Sequence, residues 1–210
     1  MPVSFESLSS LDEGIDLLTS KIARLSRRQN AALFACSAEA LLPLYLRFSD
    51  KNGWGDRATL RVALDAALGF ATGKGDLRET AASLIESIAR ATPHQDDFAG
   101  PDTAFAVDVT ICVDAAVRAG DLAQQVNPAW VEYALTPAIS AVCERETGYV
   151  DLGSSEMADR WRSSALKNPK IREAFKAVSA MADSVAAHGD TINTKLLDRL
   201  RGFAEILLPS

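Results

Sequence analysis

Leu11, Ile15, Leu18, Ile22 and Leu25 fall three and four residues apart, and this interval recurs almost to the end of the chain. Residues at that spacing share one face of an α-helix, whereas a half-buried strand alternates at every second residue. No convincing run of strict alternation occurs, and no Asn-Gly turn joins two β-branched stretches. Alanine is abundant and clusters of valine, isoleucine and threonine are few. The pattern predicts an all-α fold of about eight or nine helices.

Capping residues divide the pattern into elements. A first helix is expected from near Ser10, with the five residues above as its apolar stripe. A second, over about 28–51, is apolar on most sides and is therefore expected to be central. A third should follow Asp56, an N-cap, and close at Gly73. A fourth is expected from Asp76, with Glu79 at capping-box spacing, and should stop before Pro93. After the polar loop "PHQDDFAGPD", a fifth should cover about 103–118. Asn127-Pro128 opens a sixth that should end at Gly148, and "YVDLGSS" breaks the chain again. A short helix over about 155–166 ends at Asn168-Pro169, and two more, about 170–187 and 191–208, hinge at His188-Gly189-Asp190. Loops are short and no linker marks a boundary, so residues 1–210 read as one domain, with 150–210 as a C-terminal helical layer.

Charge narrows the function. Acidic residues outnumber basic ones by 28 to 22, a poor balance for phosphate-backbone or anionic-lipid binding, which both need clustered Lys and Arg. A basic protein partner fits better. The N-terminus lacks the basic and apolar segments of a signal peptide. The most apolar window, 31–48, holds Glu39, Pro43 and Arg47, which argues against a membrane span. Cys36, Cys112 and Cys143 are odd in number, far apart and inside apolar helical runs, so they read as buried reduced thiols. These features predict a cytoplasmic protein.

The stretch "LPLYLRFSDKNGWGD", residues 42–56, is the most unusual. Pro43 stands inside a helix, where it lacks an N–H and crowds the carbonyl of Glu39, so a kink is expected. Gly53 suits the left-handed position that closes a helix. Trp54 should then fold back and bury itself on the second helix, and Asp56 should start the third. A functional reading stands beside this one, because a helix opened at a proline next to a carboxylate is also a way to build a small site. Ala40-Leu41-Leu42-Pro43 has a weak echo in Ala134-Leu135-Thr136-Pro137, followed by Gly148-Tyr149 as Gly53-Trp54 follows the first; chance explains it adequately.

Catalytic constellations are sparse. Glu39, Asp65, Asp108, Asp114, Glu132 and Glu144 lie in apolar helical runs, so each must be exposed, paired or metal-bound. Asp108 and Asp114 are six apart and should face different ways, and Arg61 stands one turn before Asp65 as an ion-pair partner. His94 and His188 are loop residues outside any metal motif. "GFATGKGD", residues 69–76, departs from a Walker loop and reads as a helix end followed by a new cap. "RLSRRQ", residues 24–29, reads as a solvated helix junction. No cofactor motif and no metal set emerges.

"ACSAEALLPLYLRFSDKNGWGD", "LRVALDAAL", "ATPHQDDF" and "VDAAV" follow one another in a spaced order. This order resembles the YjaG-like bacterial family (domain of unknown function 416). The matching positions are Glu39, Leu42, Pro43, Tyr45, Phe48, Gly53, Trp54, Gly55, Asp56, Asp65, Pro93, Asp97, Phe98 and Asp114, best over residues 28–118. "NPKIREAF" resembles a later family segment, while His94 replaces an acid of the family's loop and the sixth helix shares little beyond helicity. The resemblance implies an all-helical protein with no assigned activity and, faintly, a link to histidine-kinase signalling.

The expected function is a non-catalytic protein-binding or regulatory module whose partner is another protein, a homo-oligomer being left open. The alternative is a metal-dependent hydrolase built on Glu39 and Asp65, joined by Asp108 or Asp114. An acidic immunity-type protein that neutralises a basic toxin is a third reading, resting on net charge alone.

Overall fold

A computed structural model describes residues 10–98, 100–120, 127–135 and 165–207. All regular structure among them is helical: α1 (Leu11–Ile22), α2 (Arg27–Asn52), α3 (Arg57–Ala71), α4 (Ala81–Ala91), α5 (Pro101–Arg118), α6 (Pro169–His188), α7 (Thr194–Ala204) and a closing 3-10 turn (Glu205–Leu207). A further helical segment covers 128–135. Among the described residues there is no strand, as the periodicity predicted.

Most helix starts are set by local side chains. Ser10 Oγ accepts from the Glu13 N–H at 3.2 Å, and Leu11, Ile15, Leu18 and Ile22 form the buried stripe of α1. Ser26 and Gln29 form a reciprocal capping box at the start of α2. The Gln29 amide also donates to the Val185 and Gly189 carbonyls at 2.7 and 2.8 Å, which ties α2 to the end of α6. Asn168 and Asn193 cap α6 and α7 through Oδ1, at 3.0 Å to the Lys170 N–H and 2.9 Å to the Leu196 N–H. Proline at the first position of α5 and α6 costs nothing, since that N–H has no intrahelical partner.

The fourth helix departs from expectation. It starts at Ala81, and Thr80 makes no side-chain cap. Asp76 instead caps a turn: Oδ1 accepts from the Arg78 N–H at 3.0 Å, while Oδ2 accepts from the Arg78 guanidinium at 2.6 and 2.8 Å. A carboxylate engaged two residues ahead is not free to cap the third N–H of a helix. Leu77, fully buried, anchors that turn in the core.

The layers follow from where small residues allow close approach. Ala31–Ala38 of α2 is buried on every side, and α3, α5, α6 and α7 pack around this helix. The expectation that it is central holds. By length and composition α2 could cross a membrane, contrary to the sequence argument; what sets it apart is that most of its apolar stretch is covered by other helices. It runs unbroken through Pro43, whose ring lies on the exposed side. α6 packs on α1 and α2, and α7 on α6 and α2. Cys36 and Cys112 are buried free thiols. Cys143, Glu144, Thr136-Pro137, Gly148-Tyr149, "YVDLGSS" and most of the short helix expected over 155–166 lie outside the described residues.

Candidate functional site

The stretch around Trp54 becomes a junction between three helices. Gly53 has φ 60° and ψ 26°, the left-handed closure expected of it. Asp56 Oδ1 then accepts from the Thr59 N–H at 2.9 Å and Oδ2 from the Thr59 hydroxyl at 2.6 Å. The Thr59 hydroxyl bond, followed by the Thr59 amide bond, holds this carboxyl below its ordinary pKa. Tyr45 is fully buried beneath the turn. Its hydroxyl donates to the Ala91 carbonyl at 2.8 Å and accepts from the Asp56 N–H at 3.0 Å, so one oxygen joins α2, the start of α3 and the end of α4. Burial pushes its pKa up.

Gly55 completes the junction. Its φ is 110°, and a Cβ there would stand 2.7 Å from the Tyr45 hydroxyl oxygen. The tryptophan between two glycines is thus a chain reversal passing over a buried tyrosine. Trp54 does pack on α2, 6.0 Å from the Phe48 ring centroid, and Phe98 closes the group at 5.2 Å from Phe48 and 5.3 Å from Trp54. The expectation that Trp54 is largely buried needs correction: it is half-buried, because Phe98, and not a further helix, supplies its outer cover.

Glu39 is the hub of a second group. Its Oε1 accepts from Arg61 at 3.1 Å and its Oε2 from Arg201 at 2.8 Å. Arg61 also binds Asp65, and Arg201 binds Asp198. Five charged side chains from α2, α3 and α7 thus form one chain of alternating sign. Beneath it lies Cys36, whose thiol is pushed up to about 12, first by burial and second by the Glu39 charge. That thiol is a packed core group and a poor nucleophile.

The remaining predicted residues do not join these groups. Asp114 pairs with Arg118 one turn on. Asp97 is exposed in the loop before α5 and carries the turn bond from its N–H to the His94 carbonyl at 3.1 Å. Asp108 points inward: it is 5% exposed and its Oδ2 has no hydrogen-bond partner. Burial, and then the charge of Glu132, raises its pKa to about 8. Glu39 and Asp65 are brought together as the hydrolase reading required, but through the guanidinium of Arg61, which stands where a shared cation would have to sit. Among the described residues no group of three His, Cys, Asp or Glu side chains is placed to hold a metal ion.

Sequence reasoning missed Arg201 as a partner of Glu39 and the Ala91 carbonyl as a partner of Tyr45. It also missed Asp102, which accepts from Lys51 at 2.8 Å and Arg47 at 2.7 Å across the α2–α5 contact. The Lys51 hydrogen bond leads in holding the Asp102 carboxyl below its ordinary range. Asp102 follows the helix-starting Pro101, and acids favour a first helical turn, so that signal was present in the sequence.

No family model and no curated protein matches the chain. Among solved structures, a DUF416 family protein from Shewanella baltica OS155 aligns over 89% of this chain and 92% of its own, at 16% identity and a TM-score of 0.60. The chain therefore has a DUF416-like fold, the all-helical architecture that the sequence resemblance implied.

Proposed function

We propose that this protein is a binding module that recognises a basic surface on another protein and performs no turnover of its own. The observation that carries the reading is how its carboxylates are used. Glu39, Asp65, Asp102 and Asp114 are each engaged by arginine or lysine. Asp96 and Asp97 are exposed and have no cationic partner among the described residues. Their loop is anchored by Phe98 against Phe48 and Trp54, so these two charges stand beside a cluster of three aromatic rings. Preorganised charge of this kind steers encounter and selects partners of opposite sign. The excess of 28 acidic over 22 basic residues favours the same class of partner.

The test has two arms. The protein is first incubated with Mg²⁺, Mn²⁺ or Zn²⁺ and a panel of nucleotides, phosphoesters and acyl esters, then again as Glu39→Gln. Turnover that disappears in the variant would replace this reading by the metal-dependent hydrolase. The second arm is affinity capture from the native cytoplasm, with signalling histidine kinases tested first because of the family resemblance. A captured protein that is lost from the Asp96→Asn, Asp97→Asn double variant and weakened by salt supports the proposal. Capture indifferent to both changes counts against it.

A further inference from the structure

Two stretches that read separately as helix punctuation, "RLSRRQ" and "GFATGKGD", meet in space beside the end of α5. Between them is an open notch of about 300 Å³. Arg27, Arg28 and Arg78 line it together with the Phe70 ring and Asp76, and Gly75 and Gly120 contribute backbone walls. In a chain of net charge −6, its lining carries three guanidinium groups against one carboxylate.

The arginines differ in what already holds them. Arg78 is paired with Asp76. Arg27 donates from Nε and Nη2 to the Ala119 and Gly120 carbonyls at the end of α5, which fixes its guanidinium but supplies no full negative charge. Arg28 is exposed and has no carboxylate partner among the described residues. Arg27 and Arg28 lie 5.7 and 6.0 Å from the centroid of the same Phe70 ring. One aromatic ring attracts a cation, but two cations beside it repel each other. The turn is shaped for this crowding: Gly73 has φ 74°, and a Cβ there would stand 2.8 Å from Arg28 Nη1.

We propose that this notch binds the phosphoryl group of a small soluble phosphate monoester. Among the described residues, the two guanidiniums without carboxylate partners amount to a local excess of two positive charges, which a phosphate dianion would neutralise. Guanidinium forks match phosphate oxygens, and the volume admits a phosphoryl group with a small organic body. The site is independent of the acidic loop: the notch adjoins the N-terminal end of α2 and Phe98 the C-terminal end, so either can fail without the other.

Isothermal titration with glycerol 3-phosphate and with inorganic phosphate tests this, in buffer of constant ionic strength. Anionic vesicles containing phosphatidic acid form a separate arm. Saturable binding of both soluble probes is expected. Arg28→Ala should weaken it roughly tenfold, since a charge-assisted contact is lost. Lys74→Ala, a nearby cation outside the lining, should change it less than about twofold, consistent with screening of exposed charges. Among the described residues the Arg28 side chain makes no hydrogen bond or ion pair, only the contact with the Phe70 ring, and circular dichroism of the variant checks that the fold persists. No saturable binding of either soluble probe overturns the proposal. So does equal weakening by both variants, which would mean diffuse charge attraction, and so does binding to vesicles alone.

Discussion

Gly55 and Tyr45 make a sharp test of the junction, because the structure places position 55 against a single oxygen. Gly55→Ala should be costly for two separable reasons. The backbone φ of 110° is one that residues with a Cβ rarely adopt, worth roughly 1–3 kcal/mol. The new Cβ would also meet the Tyr45 oxygen at 2.7 Å, below ordinary contact, and overpacking of this kind adds about 1–3 kcal/mol. Tyr45→Phe removes that oxygen and strands the Ala91 carbonyl and the Asp56 N–H, at a cost of roughly 2–4 kcal/mol for the two groups. In the double variant the nearest atom to the new Cβ becomes the ring carbon, Cζ, at 3.2 Å, so most of the overlap is relieved while the φ strain stays. The combined loss should therefore fall short of the sum of the single losses by about 1–2 kcal/mol. Urea unfolding followed by circular dichroism, on the wild type, both single variants and the double, gives all four terms of the cycle. Losses that add to within about 0.5 kcal/mol would refute the contact between position 55 and the tyrosine oxygen.

Two further outcomes follow from buried and paired charge. Asp108 has a folded-state pKa of about 8 against 3.8 for the free group, so between those values the native state holds a proton that the unfolded chain releases. Its contribution is thus fully present below the lower value and is lost as pH rises through the upper one, by about 1.4 kcal/mol per unit at most. Asp108→Asn should remove that slope, and its stability relative to wild type, measured by urea unfolding at pH 5 and pH 8, should improve with pH; a constant offset would contradict the assignment. Glu39→Gln should cost about 1–2 kcal/mol, because Arg61 and Arg201 each lose a charge-assisted bond at a half-exposed site, and the loss should shrink in 1 M salt. A loss that salt leaves untouched would mean the hub acts through packing.

What the sequence determined alone was the part set by neighbours along the chain. Helix caps need only a side chain and an N–H two or three residues away, so Ser10 and Asp56 could be read directly, as could the left-handed closure at Gly53; Asn168, which the sequence presented only as a helix stop, also caps the helix that follows. The buried stripe of α1 and the central place of α2 follow from periodicity for the same reason. Even there a local rule lost once: Asp76 had the right spacing for a helix cap, but Arg78 offered three nearer donors. The pairings that give the molecule its special places join distant residues. Glu39 and Arg201 are 162 positions apart, Tyr45 and Ala91 are 46 apart, and Arg27 reaches Gly120 across 93. Spacing cannot encode such meetings, because they depend on how whole helices cross. For the same reason, the inward turn of Asp108, the two arginines beside Phe70 and the half-covered state of Trp54 became visible only in the tertiary structure, where packing decides which charged group finds a partner.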